Sequence, residues 1–398
     1  MHILANKGFG TRAIHEGNVK DTQFGALTMP IYQTSTFIFD DCAQGAARFA
    51  GEEDGFIYTR LGNPTTMMLQ QKVAALEGGE ACVATSSGMG AISAAIWSVA
   101  GAGKKIIADK VLYGCTFALL NDGVTGYGVE TEFIDLMDLD ALKAALTDNT
   151  CAVYLETMAN PTMKVADIEK IAEIAHGFNK DIKVIVDNTF ASPYCCRPLE
   201  LGADVVVHSA TKYLNGHGDV IAGFVVSDAE FITKVAMKGI KDMTGTVIGP
   251  FESFLILRGL KTLEIRMDRH CENQKKIAEF LKSCPEVKKV YYPGFEDFPN
   301  HDVAVKEMPN GFGGMVTFEL ESREAGEKFC NSLELCTLAV SLGDAETLIE
   351  HPASMTHSTY TAEELAASGI DPGMIRFSCG LENADDIIED IKQALAKL

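Results

Sequence analysis

Short apolar runs alternate along the middle of the chain with segments whose apolar residues recur every three or four positions. The first pattern is typical of buried strands, and the second is typical of amphipathic helices. We predict strands at residues 81–85, 105–108, 130–134, 152–156, 183–187 and 204–208, and helices at residues 64–77 and 167–179. Because strands and helices follow each other in turn, they predict an α/β fold with a mostly parallel central sheet flanked by helices.

The pattern changes at both ends of the chain. Residues 1–62 are rich in Gly, Thr, Pro and aromatic residues and include an extended stretch at 28–39, so we expect an arm that packs on another surface. The later part of the chain predicts helices at 254–260, 262–283 and 323–333, and strands at 314–319 and 374–378. We therefore expect an arm (1–62), an α/β domain (63–255) and a smaller α+β domain (256–398).

Composition narrows the class of protein. With 398 residues, 47% of them hydrophobic, the chain can bury a large core, and its formal charge of −21 argues against nucleic-acid binding. No apolar run is long enough to span a bilayer. The 11 cysteines and 9 histidines lack metal-ligand spacing, which predicts reduced thiols and no metal site. We expect a cytoplasmic protein.

A lysine follows the most apolar of the predicted strands. The run Val205–Val207 is continued by Ser209, Thr211 and Lys212, so the lysine emerges at the carboxyl end of a buried strand, where open α/β sheets bind ligands. An amine in an apolar pocket is more readily neutral and can form a Schiff base with an aldehyde, which indicates pyridoxal phosphate. The alternative is a solvated surface lysine.

A carboxylate at the end of the preceding strand supports the cofactor interpretation. Asp187 ends the strand 183–187, where its side chain can pair with a protonated pyridine nitrogen and keep the ring an electron sink. By itself Asp187 is more typical of a turn or a helix cap. Together, Asp187 and Lys212 favour the cofactor site.

Three further segments lie where the predicted sheet would bring them to the same edge. The turn at 86–90 is rich in Ser and Gly and opens a helix, so it suits a phosphate, although it also suits a plain tight connection. Tyr113 follows a strand and can stack on a pyridine ring or transfer a proton, unless it is a core tyrosine. Asn160 follows another strand and can reach the cofactor's ring oxygen.

Several long motifs resemble those of the γ-family of PLP enzymes of cysteine and methionine metabolism. The matching segments are 85–91, 186–189, 208–213, 216–220 and 351–357, and the resemblance extends from about residue 10 to the end of the chain. It implies the fold of PLP-dependent transferases of type I, which is like that of aspartate aminotransferase. It also implies pyridoxal 5′-phosphate as the cofactor, carried as a Schiff base on Lys212.

The resemblance assigns roles to individual residues. Gly88 and Met89 with Ser209 and Thr211 would hold the phosphate, and Asp187 would pair with the pyridine nitrogen. Tyr58 and Arg60 would reach the phosphate of a neighbouring subunit, which implies an active dimer paired into a homotetramer. Arg376 would clamp the substrate carboxylate with help from Ser341.

The segments 113–116, 239–245 and 340–345 are most similar to family members that act on L-methionine. The implied reaction is a γ-elimination that gives methanethiol, 2-oxobutanoate and ammonia, with side activity on homocysteine and cysteine. Tyr113 would protonate the departing thiolate, while Cys115 either shapes the pocket or carries a proton. Lys241 and Asp242 would join Cys115 and Tyr113 in a polar network.

Other activities remain open at this level. Similar enzymes cleave cystathionine or add sulfide to acyl-homoserines such as O-acetylhomoserine, and neither fold nor cofactor separates these reactions. An inactive PLP-binding scaffold is the alternative from another class. The presence of Lys212, Tyr113, Asp187 and Arg376 argues against a scaffold, because a scaffold needs no electron sink.

Overall fold

The computed structural model describes residue 4, residues 6–356, residues 358, 361, 363 and 365, and residues 369–398. His357, the last residue of the motif at 351–357, lies outside the described residues. The α-helices of the described chain are α1 (Phe9–His15), α2 (Cys42–Ala50), α3 (Pro64–Glu77), α4 (Gly88–Val99), α5 (Gly114–Ala118), α6 (Leu139–Ala145), α7 (Ile168–Phe178), α8 (Ser192–Cys195), α9 (Ala229–Lys234), α10 (Pro250–Leu260), α11 (Leu263–Lys282), α12 (His301–Glu307), α13 (Arg323–Ser332) and α14 (Ala384–Leu395).

The strands form two sheets. They are β1 (Ala81–Thr85), β2 (Lys105–Asp109), β3 (Glu130–Ile134), β4 (Thr150–Glu156), β5 (Lys183–Asp187), β6 (Val205–Ser209), β7 (Gly223–Ser227), β8 (Lys289–Tyr291), β9 (Met315–Glu319), β10 (Thr337–Leu338), β11 (Leu348–Glu350) and β12 (Met374–Ser378). Two segments are π-helical, Leu119–Gly123 and Val235–Thr244, and Thr125–Tyr127 and Pro198–Leu201 are short 3₁₀ turns.

The larger sheet has the strand order β1-β7-β6-β5-β4-β2-β3. Its strands β6, β5, β4, β2 and β3 pair in parallel, whereas β7 runs antiparallel to both β1 and β6. The prediction of a mostly parallel sheet is therefore confirmed. The strand β7 was not among the predicted strands, and its antiparallel direction could not be read from a short apolar run.

Both faces of the larger sheet are covered, as the apolar strands require. Val205, Val206 and Val207 are fully buried, and they alternate between two hydrophobic cores. Helices α3 and α7 contribute to one core, and α4 and the π-helical segment 235–244 contribute to the other. The alternation of elements along the chain thus places the carboxyl ends of several strands at one edge.

Helix α3 shows why the predicted boundaries agree with the structure. Asn63 caps the helix by accepting a hydrogen bond from the Thr65 backbone N–H, and Pro64 occupies the first turn. The helix ends at Gly78, which has a left-handed φ of 79°. These are the residue types that start and stop helices.

The smaller sheet has the order β10-β11-β12-β9-β8 and is mostly antiparallel. Its core includes residues from α11, α13 and α14. Helix α11 joins the two regions, since Met267 packs in the core of the larger sheet and Ile277 in that of the smaller one. The expected boundary at 255 and 256 falls within α10.

The N-terminal arm divides into two parts. Helix α1 is fixed to helix α3, because Arg12 donates to the Ala75 carbonyl at 2.8 Å and Lys72 donates to the Ala13 carbonyl at 3.0 Å. The part that follows exposes many large apolar side chains: Val19, Phe24, Leu27, Ile31, Tyr32, Ile38, Phe49, Tyr58 and Leu61.

None of the described helices combines the length and apolar character needed to cross a bilayer.

Candidate active site

A cavity of about 400 Å³ opens at the carboxyl edge of the larger sheet. The predicted site residues that line it are Gly88, Met89, Tyr113, Asn160, Asp187, Ser209, Thr211, Lys212, Ser341 and Arg376. They come from both the α/β region and the C-terminal region. The cavity therefore brings together most of the residues selected from the sequence.

Lys212 lies three residues beyond the end of β6, and its amine faces the C-terminal region. Its Nζ donates a hydrogen bond to Ser341 Oγ at 2.8 Å. Burial and the neighbouring Arg376 guanidinium lower the pKa of Lys212 to about 8, although Glu350 and Asp344 act in the opposite direction. The amine is consequently far more often neutral near pH 7 than that of an exposed lysine.

Asp187 is buried, with one carboxylate oxygen held firmly by the following turn. Asp187 Oδ1 accepts hydrogen bonds from the Thr189 hydroxyl at 2.5 Å and the Thr189 N–H at 3.0 Å, while Oδ2 has a longer contact of 3.4 Å with the Tyr154 hydroxyl. Burial raises the pKa of Asp187, and the Thr189 hydrogen bonds oppose that rise. A cation near Oδ2 would further favour the charged carboxylate.

The other end of the cavity is formed by the start of α4. Ser87 caps this helix, accepting from the Gly90 N–H at 3.0 Å, and Gly88 packs so closely on β6 that a Cβ there would come within 2.8 Å of Ser209 Cβ. Thr189 links this end to Asp187, because its hydroxyl also accepts from the Ser209 N–H at 2.8 Å. Free N–H groups of a helix start favour an anion.

Tyr113 precedes α5 and presents a protonated phenol. The Cys115 thiol donates to the Tyr113 hydroxyl at 3.4 Å, and the Tyr113 backbone N–H donates to Glu156 Oε1 at 2.6 Å. The adjacent Cys115 side chain, together with burial, raises the pKa of Tyr113 to about 12. The phenol therefore keeps its proton throughout the neutral range.

Arg376 lies on β12 opposite Glu350 of β11, so both side chains share one face of the smaller sheet. Arg376 Nη2 donates to the Ser341 carbonyl at 2.9 Å and lies 2.9 Å from Glu350 Oε2, an ion-pair distance without hydrogen-bond alignment. Ser341 has a left-handed φ of 116°, which is strained for a serine. Its contacts with Lys212 and Arg376 hold that conformation.

Five of the predicted residues are not placed in this cavity. Lys241 and Asp242 pair with each other at 2.5 Å on the π-helical segment and do not line it. Tyr58 and Arg60 stack at 5.4 Å on the exposed part of the arm. Cys115 contacts Tyr113 but is not a lining residue. A single chain therefore leaves the predicted roles of these five residues untested.

The matching family profile spans residues 10–396 and is described as Cys/Met metabolism PLP-dependent enzyme. The chain belongs to this family. It is 58% identical over 392 residues to an L-methionine gamma-lyase of Fusobacterium nucleatum subsp. polymorphum, with 98% of each chain covered. It is 57% identical over 396 residues to an L-methionine gamma-lyase of Treponema denticola, covering 99% of this chain and 98% of the relative.

A solved structure supports the fold. The crystal structure of a putative O-acetylhomoserine (thiol)-lyase from Campylobacter jejuni matches with a TM-score of 0.94 at 35% identity, covering 98% of this chain and all of the other. That structure contains N′-pyridoxyl-lysine-5′-monophosphate at its position 205. The predicted family, fold type and cofactor are thus confirmed, and the enzyme depends on pyridoxal 5′-phosphate.

The cavity fits this cofactor. Among the described residues Asp187 Oδ2 has only a long contact, the Lys212 amine is buried and its pKa is lowered, and the glycine at position 88 leaves room beside Ser209 at a helix start. These features suit a pyridine nitrogen, an aldehyde carbon and a phosphate respectively.

Sequence reasoning missed several lining residues, including Glu156, Thr189 and Glu350. Glu156 ends the buried strand β4 just as Asp187 ends β5, so the same signal could have found it. Thr189 stands two residues after Asp187, at the spacing of a local side-chain turn. Glu350 gave no comparable signal, because its position depends on the pairing of β11 with β12.

Proposed function

We propose that this enzyme is a carbon–sulfur lyase that catalyses the α,γ-elimination of L-methionine to methanethiol, 2-oxobutanoate and ammonia. Homocysteine and cysteine would be secondary substrates. The observation that carries the proposal is the placement of the Lys212 amine and the protonated Tyr113 phenol on one cavity, in a chain similar over its whole length to L-methionine gamma-lyases. A lysine amine can take protons from carbon and return them, and a phenol can protonate a leaving sulfur.

The cofactor site would be held by residues at both ends of the cavity. When bound, pyridoxal 5′-phosphate supplies an electron sink that stabilises negative charge on the substrate carbon. Lys212 would bind it covalently, and Asp187 would pair with its ring nitrogen. The phosphate would be held by Gly88, Met89, Ser209 and Thr211, and Asn160 would reach the ring oxygen.

Proton transfers would be divided between two side chains. A neutral Lys212 amine removes the proton from the substrate α-carbon and later acts at the β-carbon. Tyr113 donates its phenolic proton to the departing methanethiolate, which is possible because its pKa of about 12 keeps it protonated at neutral pH. Cys115 would orient that phenol and shape the pocket for a thioether, with Lys241 and Asp242 completing the polar network.

Substrate orientation would depend on Arg376 and Ser341. The planar guanidinium can bind the α-carboxylate with two hydrogen bonds, and Glu350 fixes the guanidinium from the other side. Ser341 Oγ accepts a hydrogen bond from the Lys212 amine and can exchange it for a hydrogen bond with the substrate when the substrate enters. These residues come from the C-terminal region, so both regions contribute to substrate binding.

We further propose a homotetramer built from two active dimers, in the cytoplasm. The exposed apolar part of the arm supports it, because such surface is usually covered by a partner. Within the dimer, Tyr58 and Arg60 of each arm would approach the phosphate of the other subunit. The 11 free cysteines suit a reducing compartment.

The test is a comparison of substrates on the purified enzyme with its cofactor. We expect L-methionine to yield 2-oxobutanoate and methanethiol in equal amounts, with a higher kcat/KM than L-cystathionine. Preference for cystathionine would replace the proposal with a cystathionine γ-lyase. Product formation only from O-acetylhomoserine and sulfide would indicate a sulfhydrylase, and no reaction with any substrate would favour a scaffold.

A further inference from the structure

Two cysteines from different regions of the chain lie side by side. Cys195 ends helix α8 and Cys271 lies in helix α11, and their Sγ atoms are 3.8 Å apart. They are 76 positions apart in sequence, so their contact is a product of the fold. Neither thiol has a role in the proposed reaction.

The two thiols differ in their surroundings. Cys195 is buried, whereas Cys271 is partly exposed. The hydrogen bond from Cys195 lowers the pKa of Cys271, assisted by backbone hydrogen bonds from Gly313 and Phe312 and opposed by burial. The same contact and burial raise the pKa of Cys195 well above its usual value. Cys271, which solvent reaches, is the thiol that an oxidant meets first, and Cys195 lies beside it as the second thiol.

A glycine-containing loop packs closely on Cys271 and on Phe190. A Cβ at Gly311 would come within 2.8 Å of Cys271 Sγ, and a Cβ at Gly313 would come within 2.6 Å of the Phe190 carbonyl. Phe190 lines the active-site cavity and stands five residues before Cys195. The loop therefore packs on both Cys271 and the segment after Asp187, which contains Phe190 and Cys195.

We infer that Cys195 and Cys271 form a peroxide-sensitive thiol pair that closes into a disulfide linking α8 to α11. The thiolate of Cys271 attacks hydrogen peroxide, which breaks the O–O bond, releases hydroxide and leaves a sulfenic acid on Cys271. The Cys195 sulfur then attacks Cys271 Sγ, the S–O bond breaks, and water leaves. Two thiols are oxidised and one peroxide is reduced to two waters.

The disulfide would link two helices, α8 and α11, that adjoin residues of the active site. Helix α8 follows the turn that carries Asp187 and Thr189, while His270, next to Cys271, packs edge-on against Tyr213 with ring centroids 5.1 Å apart. Tyr213 is the neighbour of Lys212 in the chain. A covalent link across a loop of this length restricts the unfolded chain, so oxidation should stabilise the fold.

The direct test uses the full-length enzyme with its cofactor. After treatment with hydrogen peroxide, remaining thiols are alkylated, the protein is digested, and linked peptides are identified by mass spectrometry. We expect a Cys195–Cys271 linked peptide that dithiothreitol removes, together with a thermal midpoint raised by a few degrees. Absence of the linked peptide at peroxide levels that oxidise Cys271 further, to sulfinic acid, would overturn the inference.

Two variants separate the roles of the thiols. In Cys195→Ala, a dimedone adduct should accumulate on Cys271, because the resolving thiol is gone. Cys284→Ser is the matched control, since Cys284 is also partly exposed on the chain but donates to the Phe280 carbonyl at 3.4 Å, and it should leave the linked peptide unchanged. Equal dimedone labelling of Cys271 in the native chain and in Cys195→Ala would contradict the pairing. The native-chain peptide map decides the question even if the alanine variant folds poorly.

Discussion

At Lys212, burial and a neighbouring guanidinium act on the amine in the same direction. Both disfavour the ammonium form, and together they bring its pKa to about 8. At pH 7 about a tenth of the amines are then neutral, far more than for an ordinary lysine. The residue is thus prepared to react with an aldehyde before any cofactor arrives.

This perturbed amine predicts a pH dependence for cofactor capture by the apoenzyme. The folded-state pKa is lowered, so the reactive neutral form is lost as the pH falls through about 8. We expect the rate of covalent capture to rise about tenfold from pH 6 to pH 7 and to level off above pH 8. Stopped-flow absorbance of the cofactor measures this rate.

Arg376→Leu provides the internal check, because removing the guanidinium removes one cause of the lowered pKa. The pH midpoint of the capture rate should move to higher pH. Arg269→Leu is the control: Arg269 is an exposed arginine on α11, and its removal should leave the midpoint unchanged. A capture rate independent of pH between 6 and 8 would contradict the role assigned to Lys212.

Tyr113 predicts a separation between two proton transfers. In Tyr113→Phe the proton for the leaving sulfur is missing, so methanethiol release should fall by about 10²-fold or more. Exchange of the α-proton of methionine with D₂O depends on Lys212 and should largely persist. NMR measures the exchange, and Tyr127→Phe, an exposed tyrosine packed on Trp97, is the control. Equal loss of both reactions would assign Tyr113 to binding instead.

Helix α4 shows how an element creates a binding surface that no single side chain provides. Its start combines the Ser87 cap with the absence of a side chain at Gly88, which allows the turn to approach Ser209. The exposed backbone N–H groups and the helix dipole then favour a phosphate.

Gly88→Ala tests this element. The added methyl group would come within 2.8 Å of Ser209 Cβ and 3.0 Å of its backbone Cα, so the turn must shift away from β6. We expect the affinity for pyridoxal 5′-phosphate to fall by about tenfold or more, as measured by equilibrium titration. Gly177→Ala is the matched helical control, since nothing lies within 4 Å of its added Cβ. An unchanged affinity in Gly88→Ala would remove the turn from the phosphate site.

The elements also show why the sequence predicted one half of the site better than the other. Asp187, Ser209 and Lys212 stand at or just beyond the ends of continuous apolar strands, and parallel pairing brings such ends to one edge. Glu350 and Arg376 meet only because β11 and β12 pair in one antiparallel register. Apolar spacing does not encode that register across the 25 intervening residues, 351–375, so their ion pair was not foreseen.

At the scale of the whole molecule, the exposed apolar arm is the main feature that a single chain leaves unexplained. Leu27 is fully exposed and Ile38 is 91% exposed. Helix α1 and residues 30–32 are hydrogen-bonded to helix α3 of the same chain, whereas Phe24, Leu27 and Ile38 stay exposed for contact with a partner. This arrangement fits an active site completed by the neighbouring subunit.

Subunit sharing predicts recovery of activity in mixed oligomers. Arg60→Ala and Lys212→Ala should each be nearly inactive, because one lacks the arm contribution and the other lacks the amine. Co-expression in equal amounts should restore about a quarter of the native activity, since mixed dimers contain one site with both native residues. The release of 2-oxobutanoate measures this recovery.

The control pair is Asp187→Ala with Lys212→Ala. Both residues line the cavity of the same chain, so every site in a mixed dimer carries one of the two defects and activity should not return. If Arg60→Ala with Lys212→Ala behaves like this control pair, the arm does not contribute to a neighbouring site.

The central claim is that Lys212 carries the cofactor at the edge of the larger sheet. Borohydride reduction of the enzyme with bound pyridoxal 5′-phosphate, followed by peptide mapping, measures this directly. We predict one phosphopyridoxyl group per chain, located on Lys212, and none after Lys212→Ala. A group on another lysine, or no covalent group in the native enzyme, would contradict the assignment of this cavity as the active site.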